Sequence, residues 1–220
     1  MARVLVLLAL LCATQTQAGP WPLGKGDVFL SFGANVAVTQ DAEAPVHTDP
    51  SLYLEYGLTE KLTVGFTSFS SEAGEAISGY AFARYPVLPR LNDPLTVTIG
   101  AGLKYRFGDL APDPRIQLGF SWGHGWDNAW ATIVTNSTYS TTDQTTFHTL
   151  DATYGWRPTD NIATIFQLQT GTGETVDFYA KIAPSVAYTF GDHLTVELGL
   201  IQALTGDRGT GLRLGTWIEF

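Results

Sequence analysis

Hydrophobic and polar residues alternate with a period of two along most of this chain. Between positions 95 and 107, apolar or aromatic side chains hold the odd positions, and Thr, Gly, Lys or Arg hold the even ones. Successive side chains of a β-strand point to opposite faces, so this pattern predicts strands with one apolar and one polar face. Turn-forming residues separate such segments, and twelve strands are predicted: Asp27–Val38, Ser51–Tyr56, Leu62–Ser70, Gly79–Val87, Leu95–Phe107, Arg115–Trp126, Ala129–Tyr139, Thr146–Trp156, Asn161–Thr170, Asp177–Phe190, Leu194–Leu204 and Thr210–Phe220.

The last predicted strand stops on an aromatic residue, Phe220, that belongs to its apolar face. In this the chain resembles bacterial outer-membrane β-barrel proteins, whose final strand ends in an aromatic residue read by the barrel-assembly machinery. The resemblance implies an all-β fold, a single closed antiparallel transmembrane barrel of about twelve up-and-down strands. It also implies a location in the bacterial outer membrane, with lipid, lipopolysaccharide and the assembly machinery as partners.

Aromatic residues close the even-numbered strands, on the face that the alternation turns outward. Up-and-down strands would bring all of them to one edge of the sheet. Outer-membrane barrels carry such an aromatic girdle where the wall meets the membrane interface. The predicted girdle residues are Tyr56, Tyr85, Trp126, Trp156, Phe190 and Phe220.

Charges of both signs occupy the polar face in mid-strand. A dry protein core could not accept so many charges, whereas the polar interior of a membrane barrel could. Arg157 and Glu219 also face inward by the alternation, in addition to the ten lumen-lining residues named next. The predicted lumen-lining residues are Glu55, Arg84, Lys104, Arg106, Arg115, Asp151, Asp177, Lys181, Glu197 and Arg213.

Acidic residues also concentrate in the predicted loops that follow odd-numbered strands, Asp49 and Asp113 among them. These loops are expected to face outside, and the short turns and both chain ends to face the periplasm. A solvated acidic rim, or one that binds divalent cations together with lipopolysaccharide phosphates, would fit this composition.

The first eighteen residues differ from the rest. Arg3 precedes a short apolar run and then small residues up to Ala18, which predicts a cleaved signal peptide over 1–18 and one barrel domain over 19–220. The single Cys lies within this leader, so the exported chain would hold no thiol. The net charge of −9 argues against nucleic acid as a partner. No cofactor and no metal ligand set is predicted.

Three functions are compatible with these patterns. The first is a narrow passive channel, similar to porins, for small polar solutes, because the wall encloses a charged interior. The second is a closed structural barrel whose lumen is filled by ion pairs. The third is a barrel hydrolase built on Ser121, His124 and Asp127. Strict alternation turns Ser121 inward and His124 outward, which disfavours a catalytic set, and the chain is expected not to be an enzyme.

Overall fold

Twelve antiparallel strands close on themselves in a barrel, as the alternation predicted. The structure is a computed structural model that describes residues 19–39, 46–71, 75–88, 90, 92–172, 177–206 and 209–220. The predicted signal peptide lies outside the described residues. The strands are β1 (Val28–Thr39), β2 (Val46–Gly57), β3 (Thr63–Ser71), β4 (Ala76–Leu88), β5 (Leu95–Arg106), β6 (Asp113–Gly125), β7 (Ala129–Ser140), β8 (Thr146–Thr159), β9 (Ile162–Gly171), β10 (Tyr179–Phe190), β11 (Leu194–Thr205) and β12 (Gly209–Glu219).

Each strand pairs with its neighbours in sequence, and β1 also pairs with β12. The seam between β1 and β12 runs from Phe29 opposite Glu219 to Thr39 opposite Gly209. Beyond it, Val28 and Phe220 exchange two backbone hydrogen bonds of 3.0 Å each. Closure leaves no unpaired strand edge, which is the condition for a sheet to lie in lipid.

The apolar face of the wall points outward. On β5, Ile99 is 63% exposed while the neighbouring Thr96 and Thr98 are buried. Leu118 and Phe120 on β6 repeat the arrangement, with Ser121 buried on the inner side. This arrangement is the reverse of a water-soluble sandwich, and it agrees with a barrel whose outer surface meets hydrocarbon.

The barrel has two distinguishable ends. The end formed by the last residues of the even-numbered strands also carries the segment 19–27 and Phe220, and is called the termini edge below. The opposite end is called the distal edge. No helix among the described residues is long and apolar enough to span a membrane.

Several strand boundaries differ from the sequence prediction. Strand β2 begins at Val46, five residues before the predicted start, because residues 46–50 pair with the distal end of β1. Strand β6 likewise begins at Asp113, two residues before its predicted start. Asp49 and Asp113 thus lie in strands, not in loops as predicted. Strand β10 begins at Tyr179, so Asp177 precedes the strand.

Candidate functional site

A buried ion pair lies inside the barrel towards the termini edge. Arg84 Nη1 is 2.5 Å from Glu55 Oε1, and Glu55 is fully buried. The Tyr53 hydroxyl donates to the same carboxylate oxygen over 2.5 Å and accepts from Arg84 Nη2 over 2.9 Å. Glu55 Oε2 is buried without a hydrogen-bond partner among the described residues. The carboxylate thus depends on Tyr53 and Arg84 for its stabilisation in this site.

Aromatic rings surround this ion pair on the inner wall. Tyr53 stacks on Phe82 at a centroid distance of 5.7 Å and meets Phe29 edge-on at 6.1 Å. The Arg84 guanidinium carbon lies 5.5 Å from the centre of the Phe82 ring. Phe29, Phe82 and the nearby Tyr80 are all buried. The inner face is therefore aromatic near the termini edge, although the sequence pattern predicted a polar interior.

The chain ahead of β1 folds back into the same end of the barrel. Gly19 accepts a 2.6 Å hydrogen bond from Arg84 Nη1 through its carbonyl oxygen. Pro20 is fully buried, Leu23 is 3% exposed, and the Leu23 amide donates to the Thr63 hydroxyl over 3.4 Å. Trp21 packs against a buried cluster of Trp130 on β7, Ala163 on β9 and Ala187 on β10, and β10 stands opposite β4 in the closed sheet. Residues 19–24 thus extend across the lumen.

A second polar group lies in the middle of the barrel, on the wall formed by β9 to β12. Glu197 accepts from the Ser185 hydroxyl over 2.6 Å, and Arg213 Nε lies 3.4 Å from the same carboxylate oxygen. Arg213 Nη1 also donates to Gln167 over 2.8 Å. A cavity of about 190 Å³ adjoins this group, lined among others by Ser31, Asn35, Ser51, Gln169, Glu197 and Arg213.

A third group lies at the distal edge. Arg115 Nε donates to Asp113 Oδ2 over 2.7 Å, and the Ser140 hydroxyl donates to Asp113 Oδ1 over 2.9 Å. The Arg115 guanidinium lies 5.2 Å from the centre of the Phe147 ring. Lys104 is buried and stands opposite Asp113 in the register of β5 and β6. The lumen therefore carries paired charges at three heights.

The remaining predicted lumen residues are less buried. Asp151 faces Gln169 in the register of β8 and β9, on the same face as the mid-barrel group. Lys181 on β10 lies 5.6 Å from the ring of Tyr179. Arg106 is half-buried near the distal end of β5. Asp177 is exposed ahead of β10 and is not part of the lumen wall, because the strand starts two residues later than required.

The aromatic residues predicted for the girdle are at the termini edge and on the outside. Their exposed fractions range from 42% for Tyr56 and Trp156 to 69% for Phe220. Neighbouring rings extend the band, since Trp126 lies 6.5 Å from Tyr154, and Tyr188 lies 4.7 Å from Phe190.

The side chains considered for a hydrolase do not come together. Ser121 is 2% exposed on the inner face of β6. His124 stands on the other face, where its Nδ1 contacts Asp93 and its ring lies 4.3 Å from Trp126. Asp127 is exposed in the following turn. Among the described residues, no group of three or more His, Cys, Asp or Glu side chains is placed to hold a metal ion.

Sequence reasoning missed residues 19–24 as part of the lumen. The available signal was the run Pro20–Leu23, which is apolar, contains a Trp and lies between the predicted cleavage site and β1. A segment of this kind exposes apolar surface unless it packs against something. Sequence reasoning also missed Tyr53 as a lumen residue, because a Tyr can stand on the lipid-facing or the lumen-facing side of a strand.

Solved structures give an independent comparison for the fold. The KdgM porin in complex with disordered oligogalacturonate superposes with a TM-score of 0.64, at 8% identity, over 87% of this chain and 99% of that one. An outer membrane channel from Pseudomonas putida F1 gives 0.64 at 13% identity, over 94% and 100%. The NanC porin gives 0.63 at 10% identity, over 86% and 98%.

The chain has the fold of small bacterial outer-membrane porins. No protein-family model and no curated protein matches its sequence. The likeness therefore rests on the twelve-strand closed architecture that these barrels share, and it establishes the fold and not a substrate.

Proposed function

We propose that this protein is an outer-membrane barrel that acts as a narrow passive channel for small polar solutes. The observation that carries the proposal is the polar cavity of about 190 Å³ beside Arg213 and Glu197. Such a cavity is lined by hydrogen-bonding groups and by a half-exposed cation, which suits water and polar solutes. The outward apolar wall and its aromatic band support placement in outer-membrane lipid, with lipopolysaccharide as a neighbour.

The charges of the lumen argue for weak ion selectivity. Arg84, Arg115 and Arg213 each have a carboxylate partner within 3.4 Å. A cation neutralised in this way attracts mobile anions less than an isolated one would. Similar folds belong to the KdgM and NanC porins, one of them solved with oligogalacturonate, which supports small polar solutes as the cargo class.

Single-channel recording in planar bilayers tests the proposal. We expect small conductance steps from the folded wild-type protein and a rise in cation over anion permeability in Arg213→Gln, because the unpaired Glu197 then dominates the cavity. Lys61→Gln is the matched control, since Lys61 is exposed in the turn between β2 and β3. The channel function would be overturned if folded protein gave no conductance, both when residues 19–24 fill the lumen and when they have been moved out of it.

A closed structural barrel is the second candidate, and two observations favour it. Residues 19–24 fill the lumen near the termini edge, and the ion pairs of Glu55 and Asp113 occupy the inner wall at two heights. This function shares the fold, the lipid and the assembly machinery with the first. Only permeability separates the two candidates.

The orientation of the barrel in the membrane is also a proposal. We expect the termini edge to face the periplasm, because short turns and both chain ends lie there in outer-membrane barrels. An epitope inserted at Asp143, exposed between β7 and β8, should bind antibody on intact cells. The same epitope at Asn128, in the turn before β7, should bind only after the outer membrane is permeabilised. The reverse pattern would invert the topology.

A further inference from the structure

Residues 19–24 reach both sides of the lumen. On one side, Gly19 is hydrogen-bonded to Arg84 on β4, and Leu23 is hydrogen-bonded to Thr63 on β3. Towards the other side, Trp21 packs against the buried cluster of Trp130, Ala163 and Ala187, whose two alanines lie on β9 and β10, across the barrel from β3 and β4. A segment that contacts opposite walls and is itself largely buried leaves little room for a solute to pass beside it.

The wall is shaped to receive this segment. Gly123 on β6 has no side chain, and a Cβ placed there would lie 2.5 Å from the Pro20 ring and 2.7 Å from the Trp21 ring. On β2, a Cβ at Gly57 would overlap the Gly24 carbonyl. Any larger residue at either position would displace the segment or distort the strand.

The segment is followed by a turn with two glycines, in which the Gly26 amide donates to the Gly57 carbonyl over 2.8 Å and the Asp27 amide donates to the Gly24 carbonyl over 3.1 Å. Arg84 donates to the Gly19 carbonyl and the Leu23 amide donates to Thr63, and the second of these hydrogen bonds is long, at 3.4 Å. Gly24 and Gly26 then precede β1, and Gly26 has a φ of +94°, a conformation that favours glycine. Rotation at Gly24, ahead of the hydrogen bond from Gly26 to β2, would move the residues before it out of the lumen while the barrel stays intact.

We propose that residues 19–24 are a built-in plug which closes the lumen at the termini edge, and that solutes pass when the plug swings out at Gly24. The inference rests on the proposed channel function. The plug binds to an inner site of the same chain. This site is formed by Arg84, Thr63, Gly123 and Trp130. Apolar burial of Trp21 and Leu23 favours the closed state.

A reversible cross-link tests this movement. The only Cys of the chain is Cys12, inside the predicted signal peptide, so the exported protein offers a background without thiols. Leu23→Cys with Thr63→Cys places two sulfurs in neighbouring buried positions, because the Leu23 amide lies 3.4 Å from the Thr63 hydroxyl. We expect oxidised protein to lose conductance in planar bilayers and reductant to restore it. Leu23→Cys alone, oxidised in the same way, should behave like its reduced form.

Trp21→Ala is the second variant, and it does not depend on the cysteine pair. Removing the indole should weaken the closed state and raise the open fraction several-fold, or produce conductance if the wild-type channel rests closed. Equal conductance in oxidised, reduced and Trp21→Ala protein would overturn the plug while leaving the channel in place. Absence of conductance in every folded form, Trp21→Ala included, would overturn the channel itself.

Discussion

Replacing Glu55 with Ala should lower the free energy of unfolding by about 3–5 kcal/mol, the usual cost of breaking a buried ion pair from one side. The substitution removes the Glu55 carboxylate that lies 2.5 Å from the buried Arg84 guanidinium. Tyr53, Thr98 and the Gly19 carbonyl remain as neutral partners. Neutral hydrogen bonds do not compensate a desolvated charge, so the folded state should lose most of its local stabilisation.

Urea unfolding of protein refolded in detergent, followed by tryptophan fluorescence, measures this loss. Glu60→Ala is the matched control, because Glu60 is exposed in a turn, and it should change stability by less than about 0.5 kcal/mol. The double variant Glu55→Met with Arg84→Met should be more stable than either single variant, since no buried charge is left unpaired. If the Glu55→Ala variant were as stable as Glu60→Ala, the ion pair of Glu55 and Arg84 would contribute nothing to folding.

Replacing Phe220 with Ala should reduce the amount of assembled protein in cells several-fold while changing the stability of refolded protein little. The side chain is 69% exposed, so its truncation costs less than the roughly 1.5–3 kcal/mol of a fully buried Phe. The substitution also keeps the two backbone hydrogen bonds with Val28 that extend the barrel seam. A large loss in cells would therefore report recognition of the last strand by the assembly machinery.

Phe190→Ala separates recognition from ordinary lipid contact. Phe190 ends β10 at the same edge and is 54% exposed, so its ring has a comparable environment. Both variants should unfold at similar urea concentrations in detergent, and only Phe220→Ala should deplete the heat-modifiable, folded band in cell envelopes. Equal depletion by both substitutions would identify Phe220 as one lipid-facing residue among others.

Strand number, strand faces and the antiparallel barrel class could be predicted from the sequence alone. The physical reason is local: a period of two forces alternate side chains to opposite faces, and the outward face is mainly apolar, with exceptions such as Thr135 and Ser137 on β7. Tyr56, Trp156 and Phe190 were placed on the outer face at one edge by the same argument. Boundaries were less predictable, because residues 46–50 are held in β2 by pairing with β1 and not by their own composition.

Only the tertiary structure decided which inward charges are paired and where the lumen is filled. Arg84 and Glu55 are 29 positions apart in sequence, and the register of β2, β3 and β4 around the barrel brings them together. The burial of Pro20 and Leu23 and the packing of the half-buried Trp21 depend likewise on a cavity that exists only after the sheet has closed. Alternation determines the face on which a side chain lies, whereas its partner on another strand is set by the register of the sheet and the packing of residues 19–24 by the closure of the whole barrel.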